Sequence, residues 1–442
     1  MNETAGHNTG SNTGNNKRLL TLPMAVALVM GNMIGSGIFL LPATLAPYGG
    51  ISILGWVVTG GGAILLALTF AWLGRTRAVK GGIYAYVRIA FGETAGFAVA
   101  WCYWISIWVS VAALATAVVS YLSALVPVLQ QSSLLAGATA LTVLWALTLV
   151  NLRGVRSAGN MQMLTCLLKT APLVILMLMG ISYIEPANFV PFNPTGQPVL
   201  QATNAAATLA LWSMLGLESA AVASARVGDP IRNVAKATLI GTALAAALTA
   251  VICTAAMGIV PPSVLAQSNA PFADVAAVVW GGSGAVVMAV TGAISAFGAL
   301  NGWILLQGQL PQAMAQDGLF PAFAGRENSS GVPANSLVIG SALASLMIIF
   351  NYSGPLISVF TFLTLLATLA TLVPYLFAAF AAFRLLRPDG PVPLTPFRKL
   401  LLAGAAGYSL WTIYGSGTET VLWGVALLFS GIPVYAWIRR NK

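Results

Sequence analysis

Apolar residues run through this chain in long blocks rather than in alternation. Runs of about 18 to 28 mostly apolar residues recur from Leu19 onward, each closed by a short polar stretch. That is the length a helix needs to cross a hydrocarbon core about 30 Å thick. Strands of a membrane barrel would show about ten-residue segments that alternate lipid-facing and lumen-facing positions, and the chain lacks that period. The pattern predicts an all-α membrane protein with twelve spans, at 19–44, 49–73, 94–126, 133–151, 160–183, 201–224, 235–260, 276–307, 333–351, 355–383, 399–417 and 419–438. Between the second and third, "KGGIYAYVRIAFGE" is amphipathic and too short to span, so it is expected to lie along the interface or to re-enter.

Two of these spans are interrupted where a membrane helix should be most regular. The first contains "GNMIGSGIF" and the sixth "WSMLGLESA", apolar segments broken by Gly, Ser and one strongly polar residue. They open two blocks of five spans. Five is odd, so the second block enters the membrane upside down relative to the first, as in transporters built on inverted repeats. An intact helix satisfies its own backbone and offers nothing to a ligand. Unwinding a few residues frees N–H and C=O groups where no water competes. The half-helix after the break presents an N-terminus, which favours a carboxylate, and the half-helix before it presents carbonyls, which favour an ammonium. Close packing alone accounts for other glycine groups, such as Gly60–Gly62 and Gly281–Gly284.

Composition agrees with the span count. Of 442 residues 58% are hydrophobic and only 7% charged, where a soluble domain carries about 25%. Mean hydropathy is +0.86. The formal charge of +10 would suggest a nucleic-acid partner in a soluble protein, but its placement says otherwise. Nineteen of the 20 Lys and Arg fall in the two tails or after even-numbered spans. The positive-inside rule then puts both termini in the cytoplasm of a bacterial inner membrane, with no nucleic acid as partner. The polar segment 1–18 lacks the basic region and cleavage site of a signal peptide and is read as a disordered cytoplasmic tail. Cys102, Cys166 and Cys253 lie in apolar runs without metal-ligand spacing, and the single histidine, His7, lies in the tail. No cofactor or metal is expected.

The twentieth cation, Lys169, sits inside span 5, and of ten acidic residues only Glu218 falls well inside a span. Charges at that depth cost about 2.5–3.5 kcal/mol on insertion scales, so a buried one usually has a function. Glu218 is read as a gate or proton-responsive group beside the substrate, against a purely structural bond to the unwound backbone. Lys169 is read as an ammonium standing where other transporters bind sodium, bracing span 1 against spans 5 and 8, with a structural role for freed carbonyls as the alternative. Trp212 beside the sixth-span break and Trp303 in "ALNGW" are candidates for closing over a substrate. Trp101, Tyr103, Trp104 and Trp108 crowd span 3, mostly for packing.

"GNMIGSGIFLLP", "PYGGISILGWVVT", "GGIYAYVRIAFG", "LWSMLGLESA", "AQDGLFP" and "TLVPYLF", in this order, resemble the amino acid–polyamine–organocation superfamily over about Leu19 to Arg440. In pattern the chain is most similar to the basic amino acid/polyamine group that contains bacterial arginine/agmatine antiporters. The resemblance implies a LeuT-like fold, with repeats at 19–183 and 201–383 and two extra helices at 399–438. It also implies alternating access without ATP, and often a homodimer. By motif position, Ser36 and Gly37 meet a substrate carboxylate, and carbonyls near Ile34, Trp212 and Leu215 meet its ammonium. Asn32, Ser106 and Trp303 complete the pocket, and Tyr103, Glu218 and Tyr375 gate it. Lys169 departs from the arginine antiporter and resembles the span-5 lysine of sodium-independent and proton-coupled members elsewhere in the superfamily, which implies a coupling role. Two pocket positions depart from the arginine antiporter: Val111 replaces a side-chain amide and Ala367 a serine. Both make the side-chain end of the pocket more apolar.

The expectation is therefore a secondary transporter of amino acids or their amine products, acting as an exchanger. A proton-coupled transporter of neutral amino acids is the alternative. A sensor that keeps the pocket without moving is not separable from these by sequence. A channel would favour a polar-lined pore, and a membrane enzyme needs a metal cluster or an activated nucleophile; neither pattern is present.

Overall fold

The computed structural model describes residues 20–76, 82–153, 159–222, 227–351 and 355–440. The tail at 1–18 and the side chains of Ser36 and Gly37 lie outside the described residues. The first span is two helices, α1 (Leu22–Met33) and α2 (Ser36–Leu45). The second is α3 (Ile51–Thr76), followed by the short α4 (Ile83–Phe91), where the amphipathic segment was expected. The third is α5 (Glu93–Leu125), then the single turn α6 (Val128–Gln131), α7 (Ser133–Leu152) and α8 (Gly159–Gly180). The sixth span is again divided, into α9 (Val199–Leu211) and α10 (Ser219–Val222). Next come α11 (Pro230–Ile259), the short α12 (Pro262–Leu265), α13 (Pro271–Gln316), α14 (Ala334–Asn351) and α15 (Leu356–Leu385). The chain closes with α16 (Pro396–Gly415), α17 (Thr418–Phe429) and α18 (Gly431–Arg440).

Nine stretches among the described residues are long and apolar enough to cross a membrane. The broken sixth span, α14 and α16 complete twelve. The helix starts follow local chemistry. Pro230, Pro262, Pro271 and Pro396 stand in first turns, where a missing N–H costs nothing. Ser132 and Thr395 cap α7 and α16 by accepting the N–H of Leu135 and Arg398. The eighth span differs from expectation in length. It runs for 46 residues, with a non-helical joint at Gly281, because Pro271 and the segment up to Gln316 extend the helix beyond its apolar core. The twelfth is divided at Ser430 into α17 and α18.

Packing relates the two blocks of five spans to each other. The second, third and fourth helices of the first block lie on their counterparts in the second: α3 on α11, α5 on α13 and α7 on α14. Other contacts come in exchanged pairs, as a two-fold relation requires. The first span packs on the seventh as the sixth packs on the second, and the third on the tenth as the eighth on the fifth. Even the short helices match, α4 between spans two and three and α12 between spans seven and eight. The core of this assembly is α5, the most deeply buried of the spans.

Candidate functional site

The two breaks meet at the centre of the bundle. In the first, helical geometry ends at Ile34 (φ −81°, ψ 66°), whose N–H still reaches Met30 O at 2.7 Å. Gly35 is extended, and the helix resumes at Ser36. In the second, α9 tightens into a 3₁₀ turn over Trp212–Met214, Leu215 is extended, and Gly216 takes φ +100°. A side chain would be strained at that φ, and a Cβ there would lie 3.0 Å from the Cβ of Asn32. Glycine thus allows both the turn and the approach of span 1. Asn32 Nδ2 donates to Ser219 Oγ at 2.7 Å, and Ser219 Oγ donates in turn to the Gly216 carbonyl. The breaks predicted from sequence are present and joined by a hydrogen-bonded chain.

Glu218 lies in the turn of the sixth span and is 1% exposed. Tyr103 on α5 donates its hydroxyl to Oε1 at 2.5 Å, and Tyr375 on α15 donates to Oε2 at 2.6 Å. One carboxylate therefore holds the sixth span to the third and the tenth. Tyr375 follows Pro374, which has no N–H to give its own helix, and its ring stands edge-on to Phe70 of α3 at 5.4 Å. A buried carboxyl accepting two phenolic hydroxyls is satisfied only while all three helices keep their places.

Lys169 is buried in α8, and its Nζ donates to Gly31 O at 2.5 Å. In an unbroken helix that carbonyl would accept the N–H of residue 35, which the break has turned away. The ammonium thus completes the C-terminal, electronegative end of α1. This bond joins span 5 to span 1; among the described residues no bond joins Lys169 to span 8, which the expected brace also included. The eighth span approaches the first break at Ala299, 3.5 Å from where a Cβ on Gly35 would stand.

The remaining candidates line the surrounding helices. Trp212 is buried, its ring edge-on to Phe360 of α15 at 6.3 Å. Ile34, Leu215, Val111, Ala367 and Trp303 are buried, the last on α13 one turn beyond Ala299. Ser106 spends its hydroxyl proton on Tyr103 O of its own helix, at 2.7 Å. Among the described residues, His, Cys, Asp and Glu form no group able to hold a metal ion.

A polar frame behind Trp303 was not anticipated. Asn151 on α7 donates to Asn301 Oδ1 at 2.8 Å, and Gln307 donates to Ser341 Oγ of α14 at 2.7 Å. Ser341 Oγ also shares a 2.8 Å bond with Thr148 Oγ1 of α7. These bonds pin α13 to α7 and α14 on both sides of the tryptophan. The signal was available, since Asn301 and Gln307 are strong polar residues inside an apolar span.

Two broken helices that meet beside a buried carboxylate in a twelve-span bundle define a membrane transporter that works by rearranging helices rather than by chemistry on its substrate. The chain belongs to the amino acid permease family, whose sequence model matches residues 20–436. It is 32% identical over 415 residues to the putrescine transporter PotE of Haemophilus influenzae, covering 93% of this chain and 95% of the relative. It is 33% identical over 335 residues to the cadaverine/lysine antiporter of Escherichia coli, 74% of each chain. A Bacillus subtilis protein assigned as an arginine/ornithine antiporter is 31% identical over 356 residues, 74% of this chain and 75% of that one. The protein is a multi-pass membrane transporter and not an enzyme.

Proposed function

We propose that the protein exchanges a cationic amino acid for an amine across the bacterial inner membrane, with both termini in the cytoplasm. Its repeats run over 19–183 and 201–383, with 399–438 added. The observation that carries this reading is the Asn32–Ser219 contact between the two breaks, beside Glu218. A substrate ammonium takes the carbonyls near Ile34, Trp212 and Leu215. A carboxylate, where the substrate has one, takes the backbone at Ser36 and Gly37, the start of α2. Asn32, Ser106, Val111, Ala367, Trp212 and Trp303 surround the rest of the molecule. Glu218 with Tyr103 and Tyr375 forms the gate, because any helix motion that admits substrate from one side strains that three-helix junction. Lys169 couples the first span to protonation: a neutral amine loses the charge that strengthens its bond to the Gly31 carbonyl at the end of α1. The relatives carry diamines and basic amino acids, which supports a cationic substrate. The buried apolar side chains of Val111 and Ala367 support a neutral one.

Proteoliposomes decide. Uptake of labelled lysine, arginine or putrescine should be saturable and should accelerate when any of these is preloaded inside. Uptake of neutral amino acids alone, driven by an imposed proton gradient and indifferent to preloading, would replace exchange with proton-coupled import. Binding without uptake of any amine or amino acid would make the protein a sensor. A homodimer, implied by the resemblance, is tested by cross-linking in native membranes.

A further inference from the structure

A second polar place lies apart from the two breaks, at the end of the bundle opposite the connections that carry Lys and Arg. There a cavity of about 420 Å³ opens between the end of α5, α6, α12 and the start of α13. Gln130, Ser263, Gln267, Ser268 and Asn269 line it together with one carboxylate, Asp274. Asp274 accepts the hydroxyl of Ser268, which also accepts the N–H of Ala270. That arrangement explains an acid in the first turn of α13. It does not explain a cavity walled by three carboxamides around that acid.

The surroundings of Asp274 are unusual in charge. The described connections on this face, at 46–50, 126–132, 181–198, 260–270 and 416–417, contain no Lys or Arg. The acidic residues here are Glu185, Asp274 and Glu419. Asp274 is half-buried, so its field is less screened than that of a free surface carboxylate, and this face of the sequence supplies no cation to neutralise it. Carboxamide and hydroxyl oxygens beside a carboxylate match a group that only donates, and an ammonium is such a group.

We infer that this cavity is an outer subsite that collects alkylammonium groups, one end of a diamine or the side-chain ammonium of a basic amino acid, before they reach the breaks. The inference rests on the reading that amines and basic amino acids are the substrates, and it is tested in two independent ways. In exchange assays with putrescine added outside, Asp274→Asn should raise KM by about three- to tenfold, leave kcat within about twofold and flatten the dependence on ionic strength. Asp274→Glu should restore most of the loss. A fall in kcat with KM unchanged, or no change at all, overturns the subsite and leaves Asp274 a helix-start residue.

The second test does not need transport. Cys102, Cys166 and Cys253 are buried, whereas Gln267 is exposed at the rim. In Gln267→Cys protein a cationic methanethiosulfonate should react several-fold faster than a neutral one, and putrescine should slow it. Both effects should vanish when Asp274→Asn is added. Equal rates with the two reagents, or no protection by putrescine, overturn the subsite even if exchange is intact. Cation preference and protection in a protein that exchanges nothing would uphold the subsite while the exchanger reading fails.

Discussion

The two breaks have the same origin and opposite supports. The first is held from outside: α1 ends in free carbonyls, and a lysine from α8 crosses to take one of them. The second is held from within: the unwound turn carries its own carboxylate, and two tyrosines from α5 and α15 come to it. One brace is a single N–H···O bond to backbone. The other is a pair of O–H···O bonds that joins three helices. If hydrogen bonds set the strength of each support, the sixth span should be the costlier to disturb, and the first should be the easier to release.

Glu218→Ala tests the stronger support. It strands two buried phenolic hydroxyls, each at about 1–3 kcal/mol, so exchange should fall by roughly a hundredfold and the apparent Tm in detergent should drop. Lys169→Met tests the weaker support. One backbone carbonyl loses its donor, for about 1–2 kcal/mol, and uptake should fall by roughly tenfold. The pH profile of uptake should also flatten; an unchanged profile leaves Lys169 a structural role only. Asn32→Ala removes the link between the breaks while both braces remain, and should cost about 0.5–1.5 kcal/mol, read as a modest loss of Tm and a few-fold change in KM. A larger effect from Lys169→Met than from Glu218→Ala would invert the comparison and make the first span the anchored one.

Much of this was legible in sequence because membrane helices have few reasons to contain Gly, Ser and charge together. The breaks at Gly35 and Gly216 follow from that scarcity, and so does the reach of Lys169 to span 1. Tyr103 and Tyr375 were legible only through the resemblance: in an aromatic-rich chain neither stands out, and their partner lies 115 and 157 residues away. The bond from Asn32 to Ser219 was hidden for the same reason, since 187 residues separate them. Span 8 was read too short because the hydropathy pattern marks lipid contact, while backbone hydrogen bonding carries α13 past the apolar core. For the frame through Asn151, Asn301, Gln307 and Ser341 the polar residues are visible in the apolar spans, but their pairing is not, since the partners lie on different helices 34 to 150 residues apart.

The eleventh span has a consequence for motion. The ring of Tyr408 lies flat against Gly62 of α3, where a Cβ would come within 2.4 Å of it. Asn204 of α9 donates to Trp411 O at 2.8 Å, and the Thr208 hydroxyl, which donates to Asn204 O at 2.9 Å, lies 3.2 Å from Thr412 O. This helix is therefore fastened like an outrigger to the second span and to the near half of the sixth, and it also packs along α15 of the tenth. Any motion that separates the second and sixth spans from the tenth has to break its grip on one side, and the lipid along its outer flank has to make way each time the transporter turns over.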